Sequence, residues 1–93
     1  PLELLGIATV NGYRSLGWDD GGVLDAGALA DLVGVRLDSP RTAGCSAAQV
    51  VYAATSADVS DVVVGGEHVV AGGQHRLGDV GALLHDAIAA VRR

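Results

Sequence analysis

Between Asp61 and Ala71 the chain sets two β-branched runs, Asp61-Val62-Val63-Val64 and Glu67-His68-Val69-Val70-Ala71, on either side of Gly65-Gly66. A glycine pair can take the positive φ angles that a two-residue hairpin turn requires, so the pattern predicts an antiparallel hairpin over 61–71. The next pair, Gly72-Gly73, is expected to bend the chain away from that hairpin.

The remaining segments are arranged around this hairpin. Leu2, Leu4, Leu5, Ile7, Ala8, Val10 and Leu16 recur at mixed three- and four-residue spacings, which predicts one helix, apolar around much of its circumference, over 2–16. Asn11-Gly12 would ordinarily mark a turn, but the pattern continues through Tyr13 to Leu16, and Gly17 supplies a left-handed stop. A short strand is expected at Gly22-Val23-Leu24, a turn at Asp25-Ala26-Gly27, and a strand over Leu32 to Leu37. Ser39 to Ser46 reads as loop and Ala47 to Ala54 as a short helix. Val80, Leu83, Leu84, Ala87, Ile88 and Val91 fall at i, i+3, i+4, i+7, i+8 and i+11, with Asp79 placed to cap and Arg92-Arg93 at the negative end of the dipole. These strands are too few and too short to close a sheet of their own, so partners must come from outside the chain.

Composition narrows the function classes. Ninety-three residues allow one small domain, and a formal net charge of −5, with six arginines as the only Lys or Arg residues, gives no basic surface for nucleic acid or anionic lipid. No apolar run approaches the roughly 20 residues that span a bilayer. Cys45 has no second cysteine to pair with, which fits a reducing, cytoplasmic setting. Pro1 stands where an initiating Met is expected, so the natural start is taken to lie further upstream.

The chemistry-bearing side chains do not assemble into a motif. His68, His75 and His85 lack the two- or four-residue spacings of metal pairs and read as surface histidines. Asp19-Asp20 sits beside two glycines, as turn residues do. Asp31, entering a strand in Ala30-Asp31-Leu32-Val33, is expected to accept backbone or hydroxyl hydrogen bonds and to fix how the strand joins the sheet. Cys45 has no nearby base in sequence that would make it a nucleophile, and no Lys-Ser/Thr follows the glycine pairs as in a phosphate loop. No catalytic, cofactor-binding or metal-ligating residue is therefore assigned within these 93 positions.

The order of the pieces does, however, resemble a known family. Ala8-Thr9-Val10-Asn11-Gly12, the stop at Leu16-Gly17, Ala30-Asp31-Leu32-Val33 and the closing Val64-Gly65-Gly66 hairpin resemble the carboxyl-terminal end of metal-dependent amidohydrolases. Leu16-Gly17-Trp18, Leu37-Asp38-Ser39 with Arg41-Thr42-Ala43-Gly44, and Ala53 to Val59 are similar to the formimidoylglutamate deiminases of histidine degradation. Ala26 and Ala28-Leu29 depart from the family pattern. The resemblance implies an α+β fragment: residues 1–17 as the last helix of a (β/α)₈ barrel, 18–78 as part of a composite β-sandwich, and 79–93 as a C-terminal amphipathic helix. It implies zinc, held by His and Asp ligands of an upstream barrel domain, whose bound hydroxide attacks a formimino carbon with loss of ammonia. Trp18 would then be a packing anchor between barrel and sandwich. A homo-oligomer is expected from the apolar first helix, while the 93 residues alone are expected to be inactive and to bind no zinc. A guanine- or cytosine-type deaminase, and a free-standing β-rich module that self-associates through its first helix, are the alternative roles.

Overall fold

A computed structural model describes residues 2–92. The amino-terminal apolar stretch forms two helices, α1 (Leu2–Ala8) and α2 (Val10–Ser15), rather than one. Thr9 breaks the run at φ −119° and ψ −100°. Its hydroxyl donates to the Leu5 carbonyl at 2.7 Å, and its own N–H turns to Gly6 O at 3.3 Å. A hydroxyl that takes the i−4 acceptor competes with the helix ladder at that point. Asn11 and Gly12 lie inside α2, as the continuing pattern predicts. The helix ends at Gly17, φ 83°, where the Gly17 and Trp18 amides donate to the Arg14 and Tyr13 carbonyls, both at 3.0 Å. This 5→2 and 6→1 pair is the Schellman arrangement.

Gly22 to Leu24 does not form the expected strand. The segment is a series of bends, and Gly22, like Gly21 before it, instead approaches α2 too closely for a side chain.

Four strands make an antiparallel sheet in sequence order: β1 (Leu32–Val35), β2 (Val59–Val64), β3 (Glu67–Ala71) and β4 (Gln74–His75). The β2–β3 turn places Gly65 at φ 57° and Gly66 at φ 82°, both left-handed, so the expected hairpin is present. Gly72 (φ 57°) and Gly73 (φ 80°) repeat that geometry. Rather than leading the chain away, they return it as β4, which pairs Gln74 with Ala71 and His75 with Val70. Register shifts at Gly34/Val35 and at Val62/Val63 twist the meander. β1 ends at Val35, short of the predicted Leu37.

Between β1 and β2 lie a 3₁₀ turn (Ala47–Gln49), α3 (Val50–Ala53) and a second 3₁₀ turn (Ser56–Asp58). The closing helix α4 (Val80–Val91) starts where expected, with the Asp79 carboxylate accepting from the Ala82 amide at 3.0 Å. Arg93 lies outside the described residues.

Packing is where the chain departs most from an independent domain. Among the described residues no hydrophobic side chain is buried, and the fully buried ones are Thr42 and Asp58. The chain exposes 6871 Å², against about 5,000 Å² for a compact monomer of its mass. Its radius of gyration is 16.0 Å, where about 12 Å is usual for this length. Leu83, Leu84, Ile88 and Val91 of α4 stand in solvent, as do Leu4, Leu5 and Ile7 of α1.

Candidate functional site

Three carboxylates organise the polar structure. The first is Asp31, just before β1. Its Oδ2 accepts the Tyr13 hydroxyl of α2 at 2.6 Å, and its Oδ1 accepts the Gly65 amide at 2.7 Å. Tyr13, then the Gly65 amide, hold the Asp31 carboxyl below its ordinary range, and the carboxylate in turn raises the Tyr13 phenol. The expected role of Asp31, accepting one hydroxyl and one backbone bond at the strand entry, is met on both counts.

Asp58 is the second, and sequence reasoning missed it. It is buried (1% exposed) at the end of the 3₁₀ turn before β2. Arg41 grips it with two parallel bonds of 2.8 and 2.9 Å, and the Thr55 amide adds a third at 2.9 Å. Beside this pair Thr42 donates to the Arg36 carbonyl at 2.8 Å and meets Ser39 Oγ at 2.9 Å. The Thr55-x-x-Asp58 spacing is a capping-box signal that could have placed the carboxylate. Nothing local identifies Arg41, seventeen residues upstream, as its partner.

The guanidinium, with the Thr55 amide helping, holds Asp58 far below the usual carboxylate range. A carboxyl depressed in the folded state contributes stability above its unfolded value, near pH 4, and that contribution drains away as the pH falls through the folded value. Replacing Arg41 by Ala should therefore raise the midpoint of acid unfolding, followed by far-ultraviolet circular dichroism, by about one pH unit. An unchanged midpoint would mean that the pair does not set acid stability.

The third carboxylate is Asp61 on β2, which accepts the Ser60 hydroxyl at 2.8 Å and lies 3.1 Å from His68 Nε2 across the β2–β3 pair. Ser60, then His68, lower it. The three residues do not form a nucleophilic relay, because Ser60 and His68 each bond the carboxylate and not one another.

The other candidate residues stay apart. His75 Nδ1 accepts the Leu77 amide at 3.0 Å, and His85 is exposed on α4. Asp19, Asp20 and Trp18 are exposed beyond α2, and Cys45 Sγ lies 4.0 Å from the Arg41 carbonyl. Among the described residues no group of three or more His, Cys, Asp or Glu side chains converges as a metal would need. The residues present do not fit a zinc ion: His68 faces Asp61 alone, and His75 is committed to its own turn. No described helix is long and apolar enough to cross a membrane.

Known proteins place this arrangement. The chain is 39% identical over 87 residues to the 5-methylthioadenosine/S-adenosylhomocysteine deaminase of Natronomonas pharaonis, covering 91% of this chain and 20% of that protein. It is 42% identical over 67 residues to the enzyme of the same name from Desulfitobacterium hafniense, covering 70% of this chain and 16% of that protein. The chain thus spans about a fifth of the length of the curated relatives it matches. Among solved structures, a zinc complex of atrazine chlorohydrolase from Arthrobacter aurescens superposes with a TM-score of 0.80 at 31% identity, over 94% of this chain and 20% of that one. A zinc-bound adenosine deaminase from Xanthomonas campestris gives 0.79 at 33% identity, over 91% and 20%. The amidohydrolase family model matches residues 1–69, which take in α1, α2, Asp31, the Asp58 hub, β2 and the Gly65–Gly66 turn, and the chain belongs to that family.

Proposed function

We propose that these 93 residues are the carboxyl-terminal structural portion of a zinc-dependent amidohydrolase that releases ammonia by hydrolysing a C–N bond of an aminopurine nucleoside. The observation that carries this reading is the 39% identity, over nearly the whole chain, to a 5-methylthioadenosine/S-adenosylhomocysteine deaminase. The zinc-bound adenosine deaminase among the structural neighbours supports the same class. In this reading α1 and α2 belong to the last barrel helix, the sheet is part of a β-sandwich beside the barrel, and the zinc ligands lie in the upstream barrel domain. That domain is the partner of the exposed apolar faces, and the enzyme works as a cytoplasmic homo-oligomer. The segments similar to formimidoylglutamate deiminases, Leu37-Asp38-Ser39 and Arg41 to Gly44, keep N-formimidoyl-L-glutamate as the second substrate.

When bound, the zinc would supply hydroxide at neutral pH. This chain's own residues do something different: Asp31, Asp58 and Asp61 fix loops and strands against one another. Ammonia release by the full-length protein, assayed on 5-methylthioadenosine, S-adenosylhomocysteine and N-formimidoyl-L-glutamate, tests the reading. Release from the nucleosides, lost on chelation and absent from the isolated 93 residues, is expected. Release from N-formimidoyl-L-glutamate alone would transfer the assignment to the second substrate, and no release from a zinc-loaded protein would remove both.

A further inference from the structure

Among the described residues one hydrogen bond leaves the helix pair for the chain beyond Trp18: Tyr13 Oη to Asp31 Oδ2, 2.6 Å. The other oxygen of the same carboxylate receives the Gly65 amide, 34 residues further on, at 2.7 Å. Gly65 is the first residue of the β2–β3 turn and is held at φ 57°. Its neighbour Gly66 donates to the Ala30 carbonyl at 2.9 Å. Residues 30–31 therefore carry the hairpin turn on two bonds and α2 on a third, and the helix bond and one turn bond end on the same carboxylate.

The geometry points to Asp31 as a joint that couples the placement of the α1–α2 helix pair to the setting of the Gly65–Gly66 turn. The coupling follows from sharing. A carboxylate that accepts two donors is positioned by both, and loss of one frees it to rotate about its side-chain torsions, so the other bond lengthens or exchanges with water. Charge strengthens each bond, since both donors address an ionised acceptor. The surroundings add rigidity on the helix side, where the Tyr13 ring lies against Gly21 with no room for a side chain between them. From α2 the titratable group facing Asp31 is Tyr13, and from the turn it is met by a backbone amide only. Asp31 is thus a positioning residue. Its meaning for an intact enzyme, that it ties the barrel to the sheet, rests on the proposed reading of α1–α2, whereas the coupling itself does not.

Amide hydrogen exchange of the full-length protein, resolved residue by residue, tests the joint. In Asp31→Ala the Gly65 amide should exchange about tenfold faster or more, while Gly66, bonded to Ala30, keeps its protection. Asp31→Asn should restore most of the Gly65 protection, because its amide oxygen still accepts. The decisive variant is Tyr13→Phe, a change in α2 that touches no atom of the turn. It should speed Gly65 exchange about threefold, and it should move the acid titration of Asp31, read through the Gly65 amide shift, up toward the ordinary carboxylate value. If Tyr13→Phe leaves both unchanged, the two bonds act independently and the joint does not exist. Should Asp31→Ala unfold the sheet, Gly66 loses protection as well, and Tyr13→Phe decides alone. Failure of the ammonia-release assay would not alter these measurements, nor would their failure alter the assay.

Discussion

In a sedimentation series the isolated 93-residue chain should behave as a self-associating species, with an average mass at least twice that of the monomer at high concentration. The expectation comes from area. Its 6871 Å² of exposed surface exceeds that of a compact protein of equal mass by roughly 1,900 Å². A standard interface takes about 800 Å² from each partner, and exposed apolar patches beyond a few hundred Å² generally find a cover. Two separate faces contribute. Leu4, Leu5 and Ile7 are exposed on α1, and Leu83, Leu84, Ile88 and Val91 on α4. Changing Leu5 and Ile7 to Glu should lower the average mass in part, and so should changing Leu84 and Ile88 to Glu. All four changes together should give a monomer. If the wild-type chain is a clean monomer throughout the series, it repacks these faces on itself, and a free-standing module becomes the better description.

The features legible from sequence are those whose cause is local. Gly65-Gly66 between β-branched runs, the Asp79 cap with its apolar stripe, and the Gly17 stop each need only neighbours within a few residues, and all three appear. The single helix over 2–16 failed at Thr9, because apolar spacing does not register a hydroxyl that claims the Leu5 carbonyl. The expected departure of the chain at Gly72-Gly73 failed for a related reason. The same dipeptide that bends a chain away also returns it, and the choice was made by Val70 and Ala71 finding partners in His75 and Gln74.

At the candidate site, the acceptor role of Asp31 could be read from a lone carboxylate entering a strand, but its donors, 18 and 34 residues away, could not. The same distance effect limited the functional reading. Family membership followed from the order of helix, turn, strand and hairpin. The finer substrate assignment leaned on Leu37-Asp38-Ser39 and Arg41-Thr42, of which Ser39, Arg41 and Thr42 belong in the structure to the network around Asp58.

Gly22→Ala should be among the most damaging single-methyl additions to this chain, and Gly27→Ala its control. Both glycines sit at left-handed φ, 80° and 85°, where any side chain costs roughly 1–2 kcal/mol. They differ in what surrounds them. A Cβ on Gly27 would meet nothing within 4 Å, whereas one on Gly22 would lie 2.5 Å from the Val10 nitrogen and 2.6 Å from the Thr9 carbonyl carbon. Those atoms are helix backbone at the start of α2, so no rotamer change relieves the overlap and the 21–22 segment must withdraw from the helix. Withdrawal also pulls Gly21 from the Tyr13 ring and strains the Tyr13–Asp31 bond, which adds the cost of a disturbed joint to that of the clash. We expect Gly22→Ala to lower the unfolding free energy by about 3 kcal/mol or more and Gly27→Ala by about 1 kcal/mol, as read from urea midpoints at constant slope. Equal losses in the two variants would mean that φ alone sets the cost, and that α2 is free to move away from the Gly21–Gly22 turn.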